Sequence, residues 1–226
     1  MKNTLFIISA LLCCVLFGGC GSKVHYEMSK DVQQGRIFQL YKAEYHADDG
    51  QLVTTAAFHI DNASGTLVKL SDKSSIDCNG NEMKWNRNGE YTFTAKELAD
   101  TIRFAYQNND KESFNNKLIV NSIKINQENI TLLKNSENLL VFEGKDFEEH
   151  ESVLLVLLNN GDDIEVETDV ERRNIIISEE YLSSVAKGTY QGYFIRKNYS
   201  SDVNASDRGG VWESSYFSNE KTITIQ

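Results

Sequence analysis

Asn88-Gly89-Glu90-Tyr91-Thr92-Phe93-Thr94-Ala95 decides the class of this chain. Tyr91, Phe93 and Ala95 alternate with Thr92 and Thr94, the period of a half-buried strand. Asn88-Gly89 in front of them supplies the positive φ that a two-residue hairpin needs. Asp49-Gly50, Asn79-Gly80 and Asn160-Gly161 repeat that signal, each between runs rich in Val, Ile, Thr, Tyr and Phe. The runs are too short and too closely punctuated for helices, so the chain reads as all-β.

Working outward, strands are expected near 37–46, 51–60, 66–70, 75–78, 83–86, 91–94, 101–106 and 115–120. The pattern restarts near 122–125, 131–133, 139–143, 153–158, 164–168, 174–177, 189–197, 210–217 and 221–225. Two blocks result, 36–120 and 121–226, each with the size and strand spacing of an antiparallel immunoglobulin-like β-sandwich. Thr94-Ala95-Lys96-Glu97 matches a capping box and predicts one helical turn. Ser178 before Glu179 and Glu180 predicts a capped short helix ending near Gly188.

The 226 residues carry 33 Asp and Glu against 23 Lys and Arg, for a net charge of −10. No cluster of five or more basic residues exists to neutralise phosphates, which argues against a nucleic-acid partner. With 40% hydrophobic residues, among them 10 Tyr and 11 Phe, the chain has enough apolar mass to fold.

The N-terminus is an address. Lys2 gives a positive charge, 5–17 is an apolar run, and Phe17-Gly18-Gly19-Cys20 follows. Thirteen residues span about 20 Å as a helix, short of a bilayer core of about 30 Å, so an export signal is expected rather than a membrane span. Gly18-Gly19-Cys20 resembles the lipobox of bacterial lipoproteins, with Phe17 where that family usually has Leu. The resemblance implies a signal peptide over 1–19, lipid on Cys20, and a lipidated polar tether over 20–35. Gly21 and Ser22 lack the inner-membrane retention aspartate, and no acidic surface-export tag follows, so the resemblance points to the periplasmic face of the outer membrane. Cys13 and Cys14 leave with the signal, and Cys78 remains alone as a strand-end residue with no disulfide partner.

Asn79-Gly80-Asn81-Glu82-Met83, Glu90-Tyr91-Thr92-Phe93-Thr94 and Ile175-Ile176-Ile177-Ser178-Glu179-Glu180-Tyr181-Leu182 with Gly188-Thr189-Tyr190 resemble the tandem Ig-like modules of uncharacterised cell-envelope lipoproteins of Bacteroidetes. That likeness implies an envelope protein and carries no catalytic residues over.

Chemistry-bearing residues are sparse. His25, His46, His59 and His150 show no metal-ligand spacing and read as solvated strand-end residues. Gly-x-Ser-x-Gly, His-Glu-x-x-His, Walker and Gly-x-Gly-x-x-Gly motifs are missing from the sequence, which lowers an enzyme reading, and no cofactor is called for. Asp202, Asn204, Ser206 and Glu213 stand at positions 1, 3, 5 and 12 of a calcium loop, but Asp207 occupies the position that needs Gly. A solvated hairpin loop is favoured over that metal alternative. Trp212 and Tyr216 share a strand face; with Tyr193 they could stack on sugar rings or anchor a protein, although sandwich core is the commoner role for such residues. The acidic stretch 143–151 reads as a solvated loop.

The expected protein is therefore a non-catalytic, lipid-anchored envelope module presenting sandwich surfaces to a protein or glycan partner. Its rivals are a pilus- or adhesin-like subunit assembling by strand addition, and a glycan-binding accessory lipoprotein using Trp212, Tyr216 and Tyr193. A hydrolase would need two carboxylates converging in a cleft.

Overall fold

The computed structural model describes residues 24–99, 101–159 and 162–226. Cys20, the signal peptide expected over 1–19 and the turn expected at Asn160-Gly161 lie outside the described residues. The first ten strands are β1 (Tyr26–Met28), β2 (Ile37–His46), β3 (Gln51–Ile60), β4 (Leu67–Lys69), β5 (Ser75–Cys78), β6 (Asn81–Glu82), β7 (Lys84–Trp85), β8 (Tyr91–Lys96), β9 (Ile102–Gln107) and β10 (Ser113–Leu118). Nine follow: β11 (Asn129–Leu132), β12 (Asn138–Val141), β13 (Glu151–Leu158), β14 (Ile164–Glu167), β15 (Asp169–Glu171), β16 (Asn174–Ile177), β17 (Gly188–Ser200), β18 (Gly210–Phe217) and β19 (Lys221–Ile225). One helical turn, α1 (Glu179–Leu182), precedes β17.

The protein is all-β. In its first half the sheet β10-β9-β5-β6 packs on a sheet built around β2 and β3, and Ile37, Tyr41, Phe58, Ile102, Phe104 and Leu118 are buried between them. In the second half β12-β16-β15 faces a sheet in which β19 pairs β17, β17 pairs β13 and β13 pairs β14. Leu132, Leu155, Phe194, Ile175, Ile177 and Ile223 fill that core. With β11 joining β19, this second pair of sheets has the strand arrangement of an immunoglobulin-like sandwich. Alternation drives both: β2 buries every second residue from Ile37 to Ala43, the pattern a one-faced strand requires. At Asn79-Gly80 both residues take positive φ, +50° and +76°, as a tight hairpin between β5 and β6 needs.

The two halves share one sheet of twelve strands, β1-β4-β3-β2-β18-β17-β13-β14 along its main path. The joint is β18, which runs parallel to β2 from Gly210↔Gln39 to Phe217↔His46 and antiparallel to the far end of β17. The nearer end of β17 pairs β19 instead. At the break between β18 and β19, Ser218 N–H donates to Phe194 O and Phe194 N–H donates to Ser218 Oγ, both at 2.9 Å. A side-chain oxygen thus takes the place of a ladder carbonyl where the strand changes course.

Several expectations are corrected. The unit expected over 121–226 sends its β17–β18 hairpin onto the first core, where Val203 and Trp212 pack. The tether expected over 20–35 is folded from Tyr26 on: β1 pairs β4, and Ser29, Val32 and Gln34 are buried. Three pairings, β1–β4, β11–β19 and β2–β18, are parallel. No helical turn forms at Thr94-Glu97, because β8 pairs β3 along its whole length from Tyr91↔Ala56 to Lys96↔Gln51. Ser178 precedes α1 without a side-chain cap bond. The strand expected at 122–125 is reduced to one bridge, Lys124↔Glu143.

Candidate functional site

Register decides which aromatics are available. Trp212 pairs Tyr41 and Tyr216 pairs Tyr45, so both face the first core, against which both pack. Tyr216 stacks on Tyr45 with ring centroids 5.4 Å apart and also touches the second core. Tyr193 lies on the other side of the sheet. Along β17, Phe194 and Arg196 are buried towards the second core, so Tyr193 and Ile195 point outward, opposite Val156 and Leu154 of β13. The three aromatics expected to form one platform are split between two faces.

The calcium ligand set is not assembled either. Asn204 is tied to Asn116, whose Oδ1 accepts its N–H at 2.8 Å and whose amide donates to its carbonyl at 3.0 Å. The Ser206 hydroxyl donates to Ile37 O, Asp202 N–H donates to Ser200 Oγ, and Glu213 sits on the outer face beside Lys42 and Tyr199. Among the described residues no three His, Cys, Asp or Glu side chains converge on a metal position. Cys78 is buried at the end of β5, and burial pushes its thiol pKa up, against a role as a nucleophile.

The outer face of the shared sheet carries two concentrations of chemistry. One is an aromatic row across three strands. His46 of β2 stacks on Phe217 of β18 at 4.3 Å and 11°, and Phe217 meets Tyr193 of β17 at 6.1 Å. A groove of about 210 Å³ beside the row is rimmed by Asp48, Asp49 and Glu220. Partial burial, then the charges of Asp163, Glu165 and Glu220, raise the phenol pKa of Tyr193, so it stays a neutral donor. Val156 and Ile195 on this face are themselves buried, so the row sits on an apolar floor.

The second is a cleft of about 200 Å³ four residues further along β18 and β2, about 13 Å away at strand rise. Leu40, Ala57 and Val211 floor it, Tyr199 stands beside it 53% exposed, and Lys42, Glu90 and Glu213 supply charge. Lys42 Nζ is 2.9 Å from Glu44 Oε1. Partial burial alone would lower the Lys42 pKa, but the Glu44 hydrogen bond with the charges of Glu44, Glu213 and Glu90 raises it overall, so the ammonium persists. Sequence reasoning missed Tyr199 and Lys42 as a pair, because they lie on strands far apart in the chain that only β18 brings together.

No family model matches the chain, and no curated protein matches it. Among solved structures it is similar to the I9–I11 tandem from titin, at 14% identity over 84% of this chain and 65% of that one, with a TM-score of 0.23. Murine CEACAM1b is 9% identical over 83% and 100% of the two chains, TM-score 0.22. The fibronectin(III)-like modules of Clostridium thermocellum CbhA are 10% identical over 84% and 92%, TM-score 0.23. The chain spans less than two thirds of the length of the titin tandem. The all-β sandwich class rests on the sheets and cores themselves.

Proposed function

We propose that this chain is a non-catalytic binding module of a bacterial cell envelope, lipid-anchored through Cys20 at the periplasmic face of the outer membrane, that presents the outer face of its shared sheet to a partner. The observation that carries the reading is that face: aromatic and charged side chains on one sheet continuous through both sandwiches, which holds them in fixed relative positions. Gly18-Gly19-Cys20 supports the anchor. Cys20→Ala is expected to move the full chain from the membrane fraction to the soluble one; retention there rejects the anchor. Cross-linking in the cells that make the protein tests the face. An adduct lost in Tyr193→Glu supports it, and an adduct pattern indifferent to Tyr193→Glu rejects it.

A second reading, assembly by strand addition, is favoured by β12. It is an outer strand of its sheet, and its Leu139 and Val141 are 58% and 67% exposed. Charges, bulges and prolines normally blunt such an edge, and none interrupts Asn138–Val141. Ladders on unboiled gels that vanish in Val141→Lys support this reading; their absence from the native chain rejects it.

A further inference from the structure

We propose that the Tyr199 cleft is a saccharide site that seats one neutral or amino-sugar pyranose ring. The inference rests on the outer face being a binding surface and names the ligand class of one part of it. A pyranose has an apolar C–H face and a rim of hydroxyls, so its complement is a flat π surface and an apolar floor bordered by groups that both donate and accept. Tyr199 gives the exposed ring, and Leu40, Ala57 and Val211 give the floor. Lys42 supplies donors, and Glu213 and Glu90 supply acceptors on opposite sides of it. The two carboxylates are lightly engaged: Glu213 Oε1 accepts from Ser215 at 3.3 Å and Glu90 Oε2 from Asn86 at 3.4 Å. They retain lone pairs for sugar hydroxyls.

Size and charge narrow the ligand. About 200 Å³ lies below the range of about 300–1,000 Å³ that drug-sized ligands fill, which suits a single ring or the end of a chain. One ammonium faces three carboxylates, Glu44, Glu90 and Glu213, so the cleft is net negative and repels uronic acids and phosphorylated sugars. The cleft is distinct from the Trp212 and Tyr216 surface expected from sequence, which faces the first core.

Saturation-transfer NMR on the full chain with methyl β-glucoside, methyl α-mannoside, N-acetylglucosamine and glucuronate tests this. At least one of the first three should give ring C–H signals, weakened tenfold or more in Tyr199→Ala, retained in Tyr199→Phe, and absent for glucuronate. Tyr199 is exposed, so the alanine variant should keep the native unfolding midpoint, which separates lost binding from lost fold. Silence from all three sugars, signals indifferent to Tyr199→Ala, or glucuronate held as well as the glucoside overturns the assignment. A cross-link lost in Tyr193→Glu beside silent sugars overturns only the saccharide; a cross-link indifferent to Tyr193→Glu overturns the wider reading.

Discussion

Glu151 and Arg196 form a closed ion pair at the edge of the second core, with both side chains essentially without solvent contact. Arg196 Nε donates to Glu151 Oε1 at 3.0 Å and Nη2 donates to Oε2 at 2.5 Å. The remaining guanidinium hydrogens go to the carbonyls of Ser122, Lys145 and Asp146 at 2.9 to 3.1 Å. All five donors are used, and the rings of Phe147 and Phe142 lie 4.6 and 5.5 Å from the guanidinium carbon. Glu151, expected to lie in a solvated acidic loop, is instead the counter-ion that lets a strand bury an arginine.

Glu151→Gln should therefore destabilise the protein by about 3–5 kcal/mol, since it leaves a desolvated cation without its partner. Arg196→Lys should also lose stability, because three donors cannot serve five acceptor contacts. Urea unfolding checks both, and a Glu151→Gln midpoint equal to the native one would refute the structural role given to the pair.

The same pair fixes a pH dependence. Burial alone would raise the Glu151 pKa, but hydrogen bonds from Arg196, Asn121 and the Glu148 amide, with the arginine charge, leave it below the ordinary value. A depressed folded pKa contributes stability that is present above the unfolded carboxylate value of about 4.3 and lost as pH falls through the lower folded value. The native chain should lose stability across that acid window more steeply than Glu151→Gln, whose side chain does not titrate. Thermal midpoints measured from pH 6 down to pH 2 give the comparison, and parallel curves would contradict it.

In the first core two tyrosines make opposite predictions. Tyr41 Oη donates to Gln39 Oε1 at 2.7 Å, whereas the Tyr106 hydroxyl and Gln39 Nε2 are buried without a partner among the described residues. Tyr106→Phe removes an unpaired polar atom and should be neutral or stabilising by up to about 1 kcal/mol. Tyr41→Phe leaves the Gln39 amide with neither bond and should cost about 1–3 kcal/mol. Chemical unfolding of the two variants side by side decides it, and a larger loss in Tyr106→Phe would show that its hydroxyl has an acceptor.

What the sequence could reveal follows the range of the interactions. The bounds of β2, β3, β5, β16, β18 and β19 match their expected positions because alternation and Gly-containing turns are local. Parity along one strand was equally readable, which is why Trp212 and Tyr216 do share a face. Whether Tyr193 joins them was not readable, because its face relative to theirs depends on the register of β17 against β18, set by a loop whose conformation no dipeptide specifies. The parallel docking of β18 on β2 joins residues about 170 apart and leaves no periodic mark. The burial of Arg196 has no mark in the sequence, since only tertiary packing supplies its carbonyls.

Ser218 tests the joint between the halves. Its hydroxyl accepts the Phe194 N–H inside a strand whose two neighbours, β18 and β19, part company at that point. Alanine keeps the backbone bond from Ser218 N–H to Phe194 O but removes the acceptor for a buried amide, a loss of about 1–3 kcal/mol. Threonine keeps the hydroxyl and should recover most of it. Hydrogen exchange localises the effect: in Ser218→Ala the Phe194 amide should exchange faster, while Phe58, deep in the first core, keeps its protection. Acceleration at both sites alike would mean that the halves unfold as one body and that Ser218 is no special joint. Acceleration at Phe194 alone would make the kink the point at which one twisted sheet can loosen while each sandwich stays folded.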